Sequence, residues 1–241
     1  MTRIEQQPAF VLHARPYRET SLLIEVFTRD HGRVGLVARG VRREKSRLPR
    51  GVLQPLQPLL LGWSARGELG MLTSADSASV PFALSGDALY AAMYVNEFVL
   101  RLSGRNDVHG HAFATYARCL AALAGDGETG TAWALRRFER DFLAELGYAL
   151  ALTHDAAGAP IRPAARYAYD PDSGPLPIDA PGRFVSVDGA ALLALANEEK
   201  PSPSQLVQLR GLMRAVIRHL LGGELNAWEL PGAAKAYARG D

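Results

Sequence analysis

Along the first 77 positions apolar and polar residues alternate with the two-residue period of β-strands. Phe10, Leu12 and Ala14 alternate with Val11, His13 and Arg15, and Leu22, Ile24 and Val26 with Leu23, Glu25 and Phe27. Asp30-His31-Gly32 supplies a tight turn, beyond which Val34, Leu36 and Ala38 continue the pattern. Two more strands are predicted over Leu56–Trp63 and Leu69–Ser74, joined through Ala65-Arg66-Gly67. Pro55 and Pro58 suit an edge or a strand start, where a missing N–H costs nothing. Five short strands within about 75 residues predict a small barrel, and the oligonucleotide-binding (OB) type has that strand count.

From Ser85 the period becomes helical, with Ser85 as the expected N-cap. Leu89, Met93, Asn96, Val99 and Leu100 mark one face, and Ala92 and Val95 fill in. A helix near 110–124 follows, then one over Thr131–Leu146 with Leu135, Phe138, Phe142 and Leu146 as its buried stripe and Gly147 as its stop. Residues 151–182, rich in Pro, Gly and Asp, read as an irregular excursion, and Phe184–Val187 as one short strand. Ser202, Pro203 and Gln205 have capping-box spacing and open a last helix, whose stripe is Leu206, Leu209, Met213, Val216, Ile217 and Leu220. Gly222-Gly223 ends it. The expected architecture is α+β: an OB-fold barrel over residues 1–80, then a mostly helical domain over 81–241.

With 241 residues, 48% apolar and 22% charged, the chain has the composition of an ordinary globular protein. No apolar run is long enough to span a bilayer, and MTRIEQQPAF has no signal core, so a cytoplasmic protein is expected. A single cysteine, Cys119, excludes an internal disulfide and a cysteine-built zinc site. The net charge of +2 hides an asymmetry: residues 1–70 hold 12 Lys/Arg against 6 Asp/Glu, and the remainder 15 against 19. Such a distribution suggests a part that faces a polyanion, joined to a more neutral scaffold.

The positive charge is densest at 39–50, where Arg39, Arg42, Arg43, Lys45, Arg47 and Arg50 meet only Glu44. This run falls between two strand patterns and reads as a loop suited to phosphates, the plain alternative being a solvated charge run. Tyr17, Phe27 and Trp63 are candidates to stack bases. Arg210, Arg214 and Arg218 repeat every four residues, and Arg136, Arg137 and Arg140 cluster on another helix. Either row is a solvated face or a seat for an acidic peptide or a second nucleic-acid strand. Enzymatic signals are few: no phosphate-cradling or dinucleotide glycine loop and no serine elbow occurs. His109 and His111 would diverge on a helix. Asp155, Asp170, Asp172 and Asp179 could build a metal-dependent nuclease but are equally good turn formers. No catalytic residue, metal or cofactor is expected.

Several short motifs stand in a distinctive order: Arg15-Pro16-Tyr17-Arg18-Glu19-Thr20-Ser21, Phe27-Thr28, His31-Gly32-Arg33, Leu53-Gln54-Pro55 and Gly67-Glu68-Leu69. Tyr94-Val95-Asn96-Glu97 with Arg101-Leu102, Leu135-Arg136-Arg137-Phe138-Glu139 and Leu146-Gly147-Tyr148 follow. Together their order and spacing resemble the RecO family of bacterial recombination mediators, which also implies a nucleoid-associated protein. The resemblance implies a non-enzymatic protein that binds single- and double-stranded DNA, anneals complementary strands and helps load RecA onto strands coated by single-stranded-DNA-binding protein (SSB). It implies RecR and the acidic SSB tail as partners, with RecF a further candidate. Arg15 and Arg33 then join the six loop cations as expected DNA contacts, and the two helical rows as expected partner contacts. Many members carry a four-cysteine zinc module; Ala151–Gly182 has no cysteine, so the likeness is to a zinc-free branch. Leu225-Asn226-Ala227-Trp228 also replaces a more basic stretch. An RNA- or ribosome-associated OB protein is the alternative, distinguished by whether the 2′-hydroxyl is read.

Overall fold

The structure is a computed structural model and describes residues 2–43, 48, 51–65, 67–125, 128–178 and 184–229. Five strands, β1 (Thr2–Tyr17), β2 (Ser21–Thr28), β3 (Gly32–Ala38), β4 (Leu59–Ala65) and β5 (Gly70–Ser77), close into a barrel in the order β1-β2-β3-β5-β4. Every neighbouring pair is antiparallel except β3 and β5, which run parallel through Leu36↔Gly70 and Val37↔Met71. That is the OB order. Closure leaves no free edge, which suits a short sheet that would otherwise offer unpaired amides to other chains.

The alternation in β2 comes out as expected. Leu22, Ile24 and Val26 face the barrel interior with Val34, Leu36, Leu61, Trp63 and Leu72. Side chains as fully enclosed as Ile24 and Leu61 contribute roughly 1.5–3 kcal/mol each by burial. In β1 a register shift between Val11 and His13 breaks the simple alternation. Ala9 and Val11 point inward, while Phe10 lies outside against Phe82, Phe113 and Tyr116. Gly32, at φ +63°, closes the β2–β3 hairpin; a side chain there would strike the Asp107 carbonyl. β4 starts at Leu59, later than predicted, because Leu56 holds a left-handed φ of +68° and Pro58 precedes the ladder.

Helices α1 (Gly86–Leu102), α2 (Ala112–Gly125) and α3 (Glu128–Glu145) follow. The face predicted for α1 holds at Ala92, Val95, Asn96 and Val99, which are buried, and needs correction elsewhere: Leu89 and Met93 are exposed, whereas Ala91, Tyr94 and Phe98 are buried. Tyr94 and Phe98 rotate the buried side away from Leu89 and Met93. In α3, Leu135, Phe138 and Phe142 are buried as expected, and Gly147 takes φ +86° where the helix stops.

The excursion also needs correction. It holds β6 (Arg166–Asp170) and β7 (Gly174–Pro177), which with β8 (Val185–Asp188) form an antiparallel sheet in the order β7-β6-β8. Turn-forming residues dominate the segment, but Tyr167, Ala168 and Tyr169 are buried along β6. Cross-strand pairing and burial override the local composition. A short apolar helix, α4 (Gly189–Ala196), was not predicted. The last helix, α5 (Pro203–Leu221), has the expected capping box: Gln205 N–H donates to Ser202 Oγ (3.3 Å) and Ser202 N–H to Gln205 Oε1 (2.7 Å). Gly222 caps it in the left-handed conformation, and a 3-10 turn, Asn226–Glu229, follows.

Compactness divides the chain into two units at places other than residue 80. One comprises 1–84 with 95–124, the other 85–94 with 125–241. Helix α2 thus groups with the barrel. No helix among the described residues is long and apolar enough to cross a membrane.

Candidate nucleic-acid interface

The hairpin register of β2 and β3 creates the site. Pairing runs from Thr28↔Gly32 to Leu22↔Ala38, so the residues just before β2 and just after β3 emerge together at one end of the barrel. There Arg18, Glu19, Thr20 and Ser21 face Arg39, Gly40 and Arg43 around an open cavity of about 640 Å³. Arg42 N–H staples the two segments by donating to the Thr20 carbonyl (3.0 Å), and Arg43 N–H closes the turn after β3 by donating to the Gly40 carbonyl (3.0 Å). Gly40 has φ +67°, which the sharp turn demands. Val41 and Leu53 are buried in the barrel core, so the basic loop is plugged into the fold at both ends.

Arg39, Arg42 and Arg43 are exposed, and no acidic side chain among the described residues pairs with them. Arg15, exposed on β1 opposite Leu23, is likewise unpaired. Arg18 lies over the half-buried Tyr17 ring at 5.3 Å. An uncompensated guanidinium is well hydrated, keeps its full charge and presents a planar fork of donors that matches a phosphate. Several around one concavity, beside the Thr20 and Ser21 hydroxyls, form a surface that attracts a polyanion and can hydrogen-bond its oxygens. Lys45, Arg47 and Arg50 lie outside the described residues.

Arg33 does not join this group. Its guanidinium bonds Glu25 (2.9 Å) and the Ser103 carbonyl (3.0 Å), and it is 17% exposed. Arg105 bonds the same Glu25, which holds the Arg105 guanidinium above its ordinary value. Phe27 and Trp63, both nearly inaccessible, belong to packed surfaces and offer bases no face as they stand. Arg18 was missed by sequence reasoning. Reading the hairpin register outward from the Asp30-His31-Gly32 turn would have brought it opposite Arg42.

The two helical rows differ from their sequence picture. Arg136 is 4% exposed and donates to Glu139 Oε1 (2.6 Å), to which the Tyr94 hydroxyl also donates (2.5 Å). Burial raises the Glu139 carboxyl above the usual range, against the pull of Arg136 and the Tyr94 hydrogen bond. Arg140 is engaged by the Leu195 carbonyl (2.5 Å), Asp141 (2.6 Å) and Glu198 (2.7 Å). Arg137 is half-buried and lies over the buried Trp133 ring at 5.7 Å. On α5, Arg214 and Arg218 stand 5.1 and 6.0 Å from the Trp228 ring, and Arg218 also pairs with Glu224. Arg210 is half-buried. Trp228, unassigned from sequence, thus turns part of the α5 row into a cation–π cluster.

Among the described residues no group of three or more His, Cys, Asp or Glu is placed to hold a metal ion. His109 pairs with Asp107 at 3.1 Å, and Cys119 is buried on α2.

A closed five-stranded barrel of this order with a cationic rim defines an OB-fold protein. Comparison with known sequences is consistent with that class and goes further. The family model described as Recombination protein O N terminal matches residues 1–80, and that described as Recombination protein O C terminal matches residues 83–229. The chain belongs to the RecO family. It is 46% identical over 232 residues to a protein named DNA repair protein RecO from Xanthomonas oryzae pv. oryzae (strain PXO99A), covering 94% of this chain and 96% of that one. A protein of the same name from Stenotrophomonas maltophilia (strain K279a) is 44% identical over 231 residues, again covering 94% and 96%.

Proposed function

We propose that this chain is a non-enzymatic DNA-binding mediator of recombinational repair. On this reading it binds single- and double-stranded DNA, anneals complementary strands, and with RecR helps load RecA onto SSB-coated strands. Family membership and the repair role in its relatives' names support the biological setting. The observation that carries the binding reading is the barrel-end cavity, where Arg18, Arg39 and Arg43, flanked by Arg42, outnumber the one acidic lining residue, Glu19, and form no ion pair among the described residues. Such a surface binds by releasing counterions and grips phosphates, leaving base edges free to find a complement. The SSB tail is acidic and ends in an apolar group. It fits a cation beside a ring, as at Arg214 and Arg218 around the half-buried Trp228.

The test is oligonucleotide binding across a salt series with Arg18, Arg39, Arg42 and Arg43 changed together to Ala. At about 0.7 per phosphate contact on single strands, the log–log slope should become shallower by nearly 3. An unchanged slope with folding intact would refute the assignment.

A further inference from the structure

We propose, building on the DNA-binding role proposed above, that Arg18 backed by Tyr17 is a stacking plate for one unpaired nucleobase. It gives the barrel end a contact to the base itself, beyond those its other arginines offer to phosphates.

The strand register places the pair. Tyr17 pairs with Ser21 and Arg15 with Leu23, while Pro16 and Ala14 oppose Leu22 and Ile24. Leu22 and Ile24 face the barrel interior, so Tyr17 and Arg15 lie on its outer surface. Leu22 also pairs with Ala38, which sets Arg39, one residue further, across from Ser21 on that same surface. Tyr17 therefore has one arginine beside it along β1 and another across the hairpin. Both are exposed, and neither is ion-paired among the described residues. A strand crossing here would set phosphates at Arg15 and Arg39 with a base between them.

Arg18 has an unusual backbone for its residue type. Its φ is +53°, in the left-handed region that side chains with a β-carbon avoid and that glycine takes freely. This conformation carries the guanidinium over the half-buried Tyr17 ring, 5.3 Å from its centroid, at the wall of the cavity of about 640 Å³. One face of the guanidinium is occupied by the ring. The other is open, because Arg18 is exposed and makes no ion pair among the described residues.

A guanidinium is planar and weakly hydrated, and it stacks on a base as it does on a tyrosine. Backing by the ring orients it before the ligand arrives, which lowers the ordering cost of binding. Phosphate ligation does not require this arrangement: a phosphate bonds the N–H edge of an arginine, and an arginine in any relaxed turn offers that edge. Phe27 and Trp63 are buried and give bases no alternative platform. In a duplex each base face is covered by its neighbours, so only an unpaired base can use the plate. A base held by its face keeps its pairing edge free, which annealing requires.

The probes are an oligothymidylate and an abasic oligomer with the same number of phosphates, each titrated into the full chain across a salt series. The oligothymidylate should bind about tenfold more tightly at every salt with the same log–log slope, because stacking adds affinity without releasing counterions. Arg18→Lys keeps the charge and removes the plane, so it should cut that advantage to under about twofold and leave the slope alone. Tyr17→Leu should weaken the advantage and Tyr17→Phe retain it, since the ring and not the hydroxyl supports the plate. Arg18→Gly should lose the advantage while its thermal unfolding temperature stays the same or rises, the left-handed backbone now being relaxed. Equal, salt-dependent binding of the two oligomers overturns the plate and leaves the DNA-binding reading standing. A full thymidylate advantage in Arg18→Lys does the same. Failure of both oligomers to bind at low salt overturns the two together.

Discussion

The arginines of the barrel end and those of α3 look alike in sequence and differ completely in circumstance. Arg39, Arg42 and Arg43 leave a tight turn into solvent, and no acidic side chain among the described residues pairs with them. Arg136 and Arg140 are drawn into their own unit, one bonded to Glu139 and the other shared among Asp141, Glu198 and a carbonyl. A guanidinium with its charge answered holds structure; one without a partner is available to a ligand. Pairing, rather than density of charge, separates an architectural arginine from a recognition arginine.

The sharpest way to break this comparison is to remove the partner of a buried charge. Glu139→Leu leaves Arg136 buried without its carboxylate and should cost about 3–5 kcal/mol in chemical denaturation. Arg136→Met should cost less, because a carboxyl can take up a proton where a guanidinium cannot release one. The raised Glu139 titration makes the folded chain hold that proton more tightly than the unfolded chain. Its contribution to stability is therefore greatest below the unfolded value and declines as pH rises through the folded value. Glu139→Gln should flatten that decline.

Next in size is the barrel-end cluster. Changing Arg39, Arg42 and Arg43 to Ala should weaken oligonucleotide binding at low salt by about tenfold to a hundredfold. Stability should move by no more than about 0.5 kcal/mol, because exposed unpaired side chains contribute little to it. A large loss of stability without a loss of binding would reverse the comparison.

Arg33 sharpens it further, since it lies in the same sequence neighbourhood but is tied to Glu25 and Ser103. Arg33→Ala should cost about 1–2 kcal/mol of stability and leave the salt slope of DNA binding unchanged. The smallest effect concerns Asp188, whose carboxyl is held below its usual range first by the Gln208 hydrogen bond and then by Arg166. Its contribution is present above the unfolded value and is lost as pH falls through the lowered one. Carboxyl NMR should show the lowered titration, and Gln208→Leu should move it back toward normal.

Much of this was legible from local pattern. The Leu22/Ile24/Val26 alternation, the Asp30-His31-Gly32 turn, the Ser202/Gln205 capping box and the Gly147 stop each depend on residues within a few positions, and the structure has all four. The sheet β7-β6-β8 was not legible, because its strands are stabilised by one another and by burial of Tyr167 and Tyr169, while their composition favours turns. The α1 face was misjudged at Leu89 and Met93 because apolarity alone does not tell which side finds a neighbour.

By itself the sequence determined the barrel, the long helices and the concentration of positive charge near the start of the chain, since periodicity and composition are properties of the chain alone. Tertiary structure decided which arginines remain available. The hairpin register brings Arg18 to Arg39 and Arg43, while the packing of α3 encloses Arg136 with Glu139. A charge can be counted in one dimension, but whether another charge neutralises it depends on distances of a few ångströms that only the folded chain sets.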